Sequence, residues 1–410
     1  MLPSLASAEW ARYENDSFIA YSNAPAADAL EVLQELEYIR AAAEQTPAFV
    51  IPEGRPRTLV ILPENHEGFL KLAPSATMAG FAQPLDGGAA IVMPVSAPGG
   101  DAGSVIRHEF AHTLLFNEWF RYPPWFAEGF AEIVSNITVD RRRNAYTVGE
   151  MPRRYGKRMK PRIDWNLLIS EDFDAHQQSS QELIQAAYAQ NWLLAHFLTL
   201  SDEPRHVFQL DHYFSLVNSG QRSQAAFVEA YGAAPAELWQ TVLEEYAVRP
   251  AVVRYEFSPA VLDLGFREDA APAGEIDGIL RYFRDKADAL RVDLSEEFPL
   301  TRVAGRWDRL KYREQCSEAF ELGFDDDGTL RIEAYYSAED ADPVPALFLA
   351  DRLGPNVYDL VNVTADEYPQ VVVASDYQLT IRSASVVCFD RRPVRQACAN
   401  VLQRCGDRTP

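Results

Sequence analysis

The chain has 410 residues, 47% of them hydrophobic, and a formal net charge of −22 at pH 7. That length suits two or three domains with packed cores, and nothing in the composition suggests disorder or a collagen-like repeat. The acid excess argues against nucleic acid or an anionic membrane surface as a partner, because phosphate recognition needs clustered Lys and Arg; no apolar run reaches the roughly 18 residues of a membrane span.

At the start, Ala6-Ser7-Ala8 has the small-x-small look of a processing site, although a charged n-region and a long apolar core are absent. It reads either as the remnant of a leader or as chance in an Ala-rich stretch. A short strand is expected over Ser17 to Tyr21. A helix follows from Pro25 to about Glu44, with Leu30, Leu33, Leu36 and Ile39 at helical spacing. Strands are expected at Thr58 to Leu62 and Ala89 to Met93, with a helical stretch near His66 to Leu72 between them. Pro98-Gly99-Gly100 breaks the chain. Residues 1–103 thus read as an α/β lobe with a small sheet.

From Ser104 to about Val248 the character turns helical. The candidates are Ser104 to Asn117, Pro124 to Ser135, Gln181 to Leu200, Ser223 to Tyr231 and Pro235 to Tyr246. A basic run, Arg141-Arg142-Arg143 followed by Arg153, Arg154, Lys157, Arg158 and Lys160, reads as an exposed loop. Residues 251–300 connect, with a helix expected from Gly274 to Leu290. Beyond 300, segments rich in Val, Ile, Leu and Tyr at Leu330 to Ser337, Ala346 to Ala350, Asn356 to Val363, Gln370 to Ala374 and Gln378 to Phe389 predict a small antiparallel β domain over 301–410. All four cysteines, Cys316, Cys388, Cys398 and Cys405, lie there. An even number confined to one segment suggests one or two disulfides, with reduced buried thiols as the alternative. Disulfides and the Ala6-Ser7-Ala8 remnant together favour a periplasmic or secreted location over a cytoplasmic one.

The informative segment is His108-Glu109-Phe110-Ala111-His112, an H-E-x-x-H pattern inside a predicted helix. Residues four apart share a helix face, so both imidazoles can aim at one point about 2 Å from each. Glu109 lies about 100° round the helix, suited to reach a metal-held water as general base rather than to join as a ligand. Fifteen residues separate His112 from Glu128, which follows Pro123-Pro124-Trp125-Phe126-Ala127. That span lets one helix end and a second, opened by Pro124, return a carboxylate to the ion. Two imidazoles and one carboxylate leave Zn²⁺ an open position, the mark of a catalytic rather than a structural site. Glu132, one turn beyond Glu128, can accept the free ring N–H of a liganding histidine.

H-E-x-x-H followed by Trp125-Phe126-Ala127-Glu128-Gly129-Phe130-Ala131-Glu132 resembles the gluzincins, the metallopeptidases that include thermolysin and the zinc aminopeptidases. It is especially similar to the bacterial peptidase MA-like proteins. The resemblance implies an α+β, zincin-like core, one Zn²⁺ per chain, His108, His112 and Glu128 as ligands, Glu109 as base, and Glu132 bonded to the first histidine. The stretch Ala187-Tyr188-Ala189-Gln190-Asn191-Trp192 resembles the helix that carries the transition-state tyrosine of the aminopeptidase branch, which points to Tyr188. A phenol there can steady the oxygen that gains charge when an amide carbonyl is attacked. Tyr122 and Tyr155 are weaker candidates, and His196 reads as structural. The Gly-x-Met-Glu-Asn motif of the aminopeptidases is missing, with Ala89 to Pro94 in its place. This turns the expectation toward an endopeptidase acting on peptide or protein substrates. In the family that segment is an edge strand that pairs with substrate. The alternatives are a zinc-bearing scaffold or partner-binding module, and an amide hydrolase acting on something other than peptide.

Overall fold

A computed structural model describes residues 10–49, 51–52, 54–76, 78–85, 88–96, 102–116, 122–155, 161–170, 173, 180–201, 205–258 and 261–291, and beyond these the strands 305–309, 320–324, 330–334, 346–354, 357–362, 376–383, 386–391 and 401–404. The chain divides into two compact units, Met1–Phe69 with Ala79–Ala271, and Leu70–Met78 with Pro272–Pro410. Both α-helices and β-sheets contribute throughout, so the fold is mixed α+β.

The first unit is built on a six-stranded mixed sheet. Its strands are β1 (Ala11–Glu14), β2 (Phe18–Ser22), β3 (Thr58–Leu62), β4 (Phe81–Leu85), β5 (Gly88–Val92) and β9 (Arg267–Ala270), in the order β4-β5-β3-β2-β1-β9. The central pairs β2/β3 and β3/β5 are parallel, and the outer pairs are antiparallel. Every residue of β3 and β5 is buried, as expected for central strands covered on both faces. Helix α1 (Ala26–Gln45) connects β2 to β3 and buries Leu33, Leu36 and Ile39. The short α2 (His66–Leu70) connects β3 to β4.

One expectation is corrected here. The segment Ala89 to Pro94 is not at the edge of the sheet. Strand β5 lies between β4 and β3, and β4 forms the rim. Leu85 and Gly88 pair across the β4/β5 hairpin.

The helical half of this unit packs against the sheet and around itself. Helix α3 (Ala102–Leu114) contacts α1, β4, β5 and α4 (Pro124–Ser135). A hairpin of β6 (Thr138–Asp140) and β7 (Ala145–Val148) interrupts the run expected to be helical, and β8 (Val253–Glu256) joins it as a third strand. The short α5 (Trp165–Leu168) and the long α6 (Gln181–Leu200) follow, the latter capped by the Ser180 hydroxyl. Next come α7 (Arg205–Asn218), α8 (Ser223–Tyr231), α9 (Pro235–Leu238), a π-helical turn (Trp239–Leu243) and α10 (Glu244–Tyr246). Helix α7 has no counterpart among the helices expected from the sequence. It is rich in aromatic and β-branched residues with weak helix propensity, and burial of Leu210, Tyr213 and Phe214 decides its conformation instead.

The second unit holds α11 (Ala273–Arg291) and an eight-stranded antiparallel closed barrel. Its strands are β10 (Gly305–Arg309), β11 (Phe320–Phe324), β12 (Leu330–Ala334), β13 (Ala346–Gly354), β14 (Val357–Asn362), β15 (Asp376–Ser383), β16 (Val386–Arg391) and β17 (Val401–Arg404). Pairing of β10 with β17 closes the ring, which removes the exposed edges that an open sheet would carry. Leu322, Leu330, Tyr358, Leu379 and Leu402 are buried. The single strand read over Gln378 to Phe389 is in fact the β15/β16 pair. The strand expected at Gln370 to Ala374 lies outside the described residues. So do Cys316, Cys398 and Cys405, and of Cys388 only the backbone in β16 is described; the disulfide expectation therefore falls outside the described residues, as does Ala6-Ser7-Ala8.

Candidate metal centre

Helices α3 and α4 supply the site. On α3, Ile106, Phe110 and Leu114 recur every fourth residue and are buried. This locks one face of the helix and turns the line of His108 and His112 toward α4. Helix α4 starts at Pro124, whose missing N–H costs nothing in the first turn. Its apolar face buries Trp125, Phe126, Phe130, Ile133 and Val134. Phe126 packs edge-on to Phe214 at 4.7 Å between ring centroids, and Phe130 to Phe49 at 5.0 Å. Pairs of this kind contribute about 0.5–1.5 kcal/mol each beyond their area. The Trp125 indole donates to the Tyr213 hydroxyl at 3.0 Å. With that face pinned, Glu128 and Glu132, one turn apart, stay beside α3.

The donors converge. His108 Nε2 lies 3.3 Å from His112 Nε2 and 3.3 Å from Glu128 Oε2, and His112 Nε2 lies 3.8 Å from Glu128 Oε1. A tetrahedral ion with bonds of about 2.1 Å has donor-to-donor edges of about 3.4 Å. His108, His112 and Glu128 are therefore spaced to hold a metal ion. Donor chemistry agrees, since two imidazoles and a carboxylate suit a borderline divalent cation.

The tautomer of His108 follows from its other neighbour. Its Nδ1 faces Glu132 Oε1 at 3.3 Å, so the Nδ1–H is donated there and the Nε2 lone pair is left for the ion. Burial opposes charge on His108, but Glu128 and Glu132 outweigh it and push the ring's pKa up to about 10 in the absence of a cation. Metal uptake must displace that proton. Glu132, only 3% exposed, is itself held in the charged form. Burial works against its charge, and the bonds from His108, Arg154 and Tyr155 more than compensate.

Glu109 projects from α3 into a cavity of about 280 Å³ that His108, Glu132, Arg154 and Tyr188 also line. Its Oε2 accepts the backbone N–H of Ala82 on the rim strand β4 at 2.8 Å. Burial raises its pKa, partly countered by the two imidazoles and that N–H. A carboxylate made more basic in this way is a better proton acceptor. Pro84, two residues along the same edge of β4, has no N–H to offer. Gly80 just before the strand sits so close that a Cβ there would lie 3.6 Å from Glu109 Cγ and 3.3 Å from Val105 Cγ1.

Tyr188, from α6, has its ring centroid 6.0 Å from that of His108. Burial and the carboxylates of Glu128 and Glu109 raise its pKa far above the ordinary phenol value, so it keeps its proton. Close approach of α6 to α4 depends on Gly129, whose hydrogen faces the Asn191 carbonyl and Ala195.

The remaining candidates lie elsewhere or are otherwise engaged. Tyr122 stacks on Phe126 and packs edge-on to Phe214. The Tyr155 hydroxyl donates to Glu132 Oε2 at 2.6 Å. His196 is fully buried, its Nε2 donating to the Gly149 carbonyl at 3.0 Å and its Nδ1 accepting from the Tyr246 hydroxyl at 2.8 Å. Arg154 is part of the site although the sequence presents it only as one of a run of loop cations. Its guanidinium bonds Glu132, and nothing in the local pattern signals that contact.

In comparisons with known proteins, neither a family model nor any curated sequence matches this chain. Among the described residues, no helix is long and apolar enough to cross a membrane.

Proposed function

We propose that the chain is a zinc-dependent peptidase of the gluzincin type, with a zincin-like catalytic unit that hydrolyses internal peptide bonds. The observation that carries this reading is the three-donor cluster of His108, His112 and Glu128 at tetrahedral spacing, with Glu109 and Tyr188 lining the adjoining cavity. Zinc when bound supplies Lewis acidity, lowering the pKa of water and polarising a carbonyl.

The chain's own groups do the rest. His108, His112 and Glu128 hold the ion, and Glu132 keeps the His108 ring oriented and its Nε2 free to bind. Glu109, fixed by the Ala82 N–H, takes the proton of the attacking water and delivers it to the leaving amine. The Tyr188 hydroxyl, protonated at neutral pH, donates to the oxygen that gains negative charge.

The test is metal content of the purified protein, together with cleavage of a denatured general protein substrate before and after chelation. Glu109→Gln is expected to retain the ion and lose turnover by a factor of about 10²–10⁴. Normal hydrolysis by that variant would remove Glu109 from the mechanism. Cleavage that survives complete removal of the metal would end the zinc reading.

A further inference from the structure

A buried carboxylate is unfavourable unless its lone pairs are met, and the way Glu132 meets this demand divides its two oxygens. Oε1 faces His108 Nδ1 at 3.3 Å, while Oε2 receives the Tyr155 hydroxyl at 2.6 Å and the Arg154 guanidinium. Tyr155 is 1% exposed. Arg154 Nη2 also reaches the Tyr155 oxygen at 3.3 Å, and its guanidinium carbon lies 4.9 Å from the centre of that ring.

We propose that Arg154 and Tyr155 are positioning residues for the metal centre: by gripping one oxygen of Glu132 they aim the other at His108, and so set the ring that binds the ion. The proposal rests on the zinc reading above.

The loop that carries the pair is itself anchored. Tyr155 N–H closes a turn onto the Pro152 carbonyl at 2.8 Å. Upstream, Gly149 takes φ of 95°, where a Cβ would meet the Ala251 carbonyl oxygen at 2.3 Å, and its own carbonyl accepts from His196 of α6. The helix that presents Tyr188 thus also ties down the start of the segment that orients His108. An arginine with a side chain 47% exposed could be dismissed as a surface ion pair, which contributes little. Here the partner is buried, and a second, buried donor meets the same oxygen.

The test measures affinity for Zn²⁺ and Co²⁺ in the full chain by competition with a chromophoric chelator. The set is wild type, Tyr155→Phe, Arg154→Met, Arg154→Lys, Glu132→Gln and the doubles of Tyr155→Phe and Arg154→Met with Glu132→Gln. Outer partners of metal ligands typically matter 10–100-fold. Tyr155→Phe and Arg154→Met are each expected to weaken binding about tenfold, with Arg154→Lys recovering part of the loss. In the Glu132→Gln background both losses should shrink toward nothing, because the coupling runs through that carboxylate. Thermal melts of the metal-free proteins check folding, and if Tyr155→Phe does not fold, the half-exposed Arg154 carries the test alone. Wild-type affinity in both single variants overturns the proposal and leaves the zinc reading standing. Equal losses in both backgrounds also overturn it, since a general loosening would act that way. Failure of the wild type to bind either ion would sink the zinc reading and this proposal with it.

Discussion

Gly129→Ala tests the packing on which the ligand set depends. A Cβ at this position would lie 2.3 Å from the Asn191 carbonyl oxygen, 2.8 Å from its carbon and 2.6 Å from Ala195 Cβ. Carbon–oxygen contacts settle at about 3.3 Å or more, so α4 and α6 must separate by about 1 Å. Two terms oppose one another. Alanine is favoured over glycine in a helix interior by about 1 kcal/mol. Overpacking costs about 1–3 kcal/mol and sometimes more, and the obstacle here is backbone and another Cβ rather than the tip of a flexible side chain. The second term wins, and a net loss of about 2 kcal/mol is expected. Glu128 is the adjacent residue, and metal sites tolerate only about 0.2 Å in ligand distances, so zinc affinity should fall at least about tenfold. Urea unfolding of the metal-free protein and chelator competition read the two quantities. A variant with unchanged midpoint and unchanged affinity would refute the claim that helix contact at Gly129 sets the position of Glu128.

Tyr188→Phe should keep the ion and lose turnover by about 10²–10³-fold; full activity would release Tyr188 from its role. Saturating zinc should raise the melting temperature of the wild type, by a stabilisation of about 2.7 kcal/mol when free zinc is one hundred times its Kd. Excess chelator should reverse this, and His112→Ala should show neither effect; an equal shift in that variant would place the ion elsewhere. His196 predicts an acid limb in stability. Burial holds its pKa down to about 4, although the Gly149 and Ala251 carbonyls pull the other way, against 6.5 in the unfolded chain. The unfolded chain therefore takes up a proton as pH falls below 6.5 while the folded chain takes none until about 4, so the contribution is whole above 6.5 and erodes down to 4. At pH 5 the loss is about 2 kcal/mol. Unfolding of wild type and His196→Gln at pH 7 and pH 5 should show their difference narrowing by that amount; a constant gap would mean that His196 is not held neutral.

Much of the site is local in origin, and therefore legible in the sequence. The i, i+4 spacing of His108 and His112, and of Glu128 and Glu132, puts each pair on one helix face whatever the rest of the chain does. Pro124 opens the second helix by backbone chemistry alone. Strands β3 and β5 were readable as apolar runs. The rim strand β4 was not, because Phe81-Ala82-Gln83-Pro84-Leu85 contains a proline that argues against a strand except at an edge, and only the assembled sheet makes an edge there. The Asp86-Gly87 that follows is nonetheless a dipeptide that tight hairpins favour.

What the sequence determined by itself, then, is the set of possible donors and the faces they occupy, since helix periodicity acts over four residues. Only the tertiary structure decided which donors meet: the approach of α4 to α6 across Gly129, the reach of Arg154 and Tyr155 to Glu132 more than twenty residues back, the Ala82 N–H on Glu109, and the closure of β10 on β17 into a barrel. These contacts join segments distant in the chain. Their free energy comes from burial and close packing that exist only once the elements are assembled, and no local pattern encodes them.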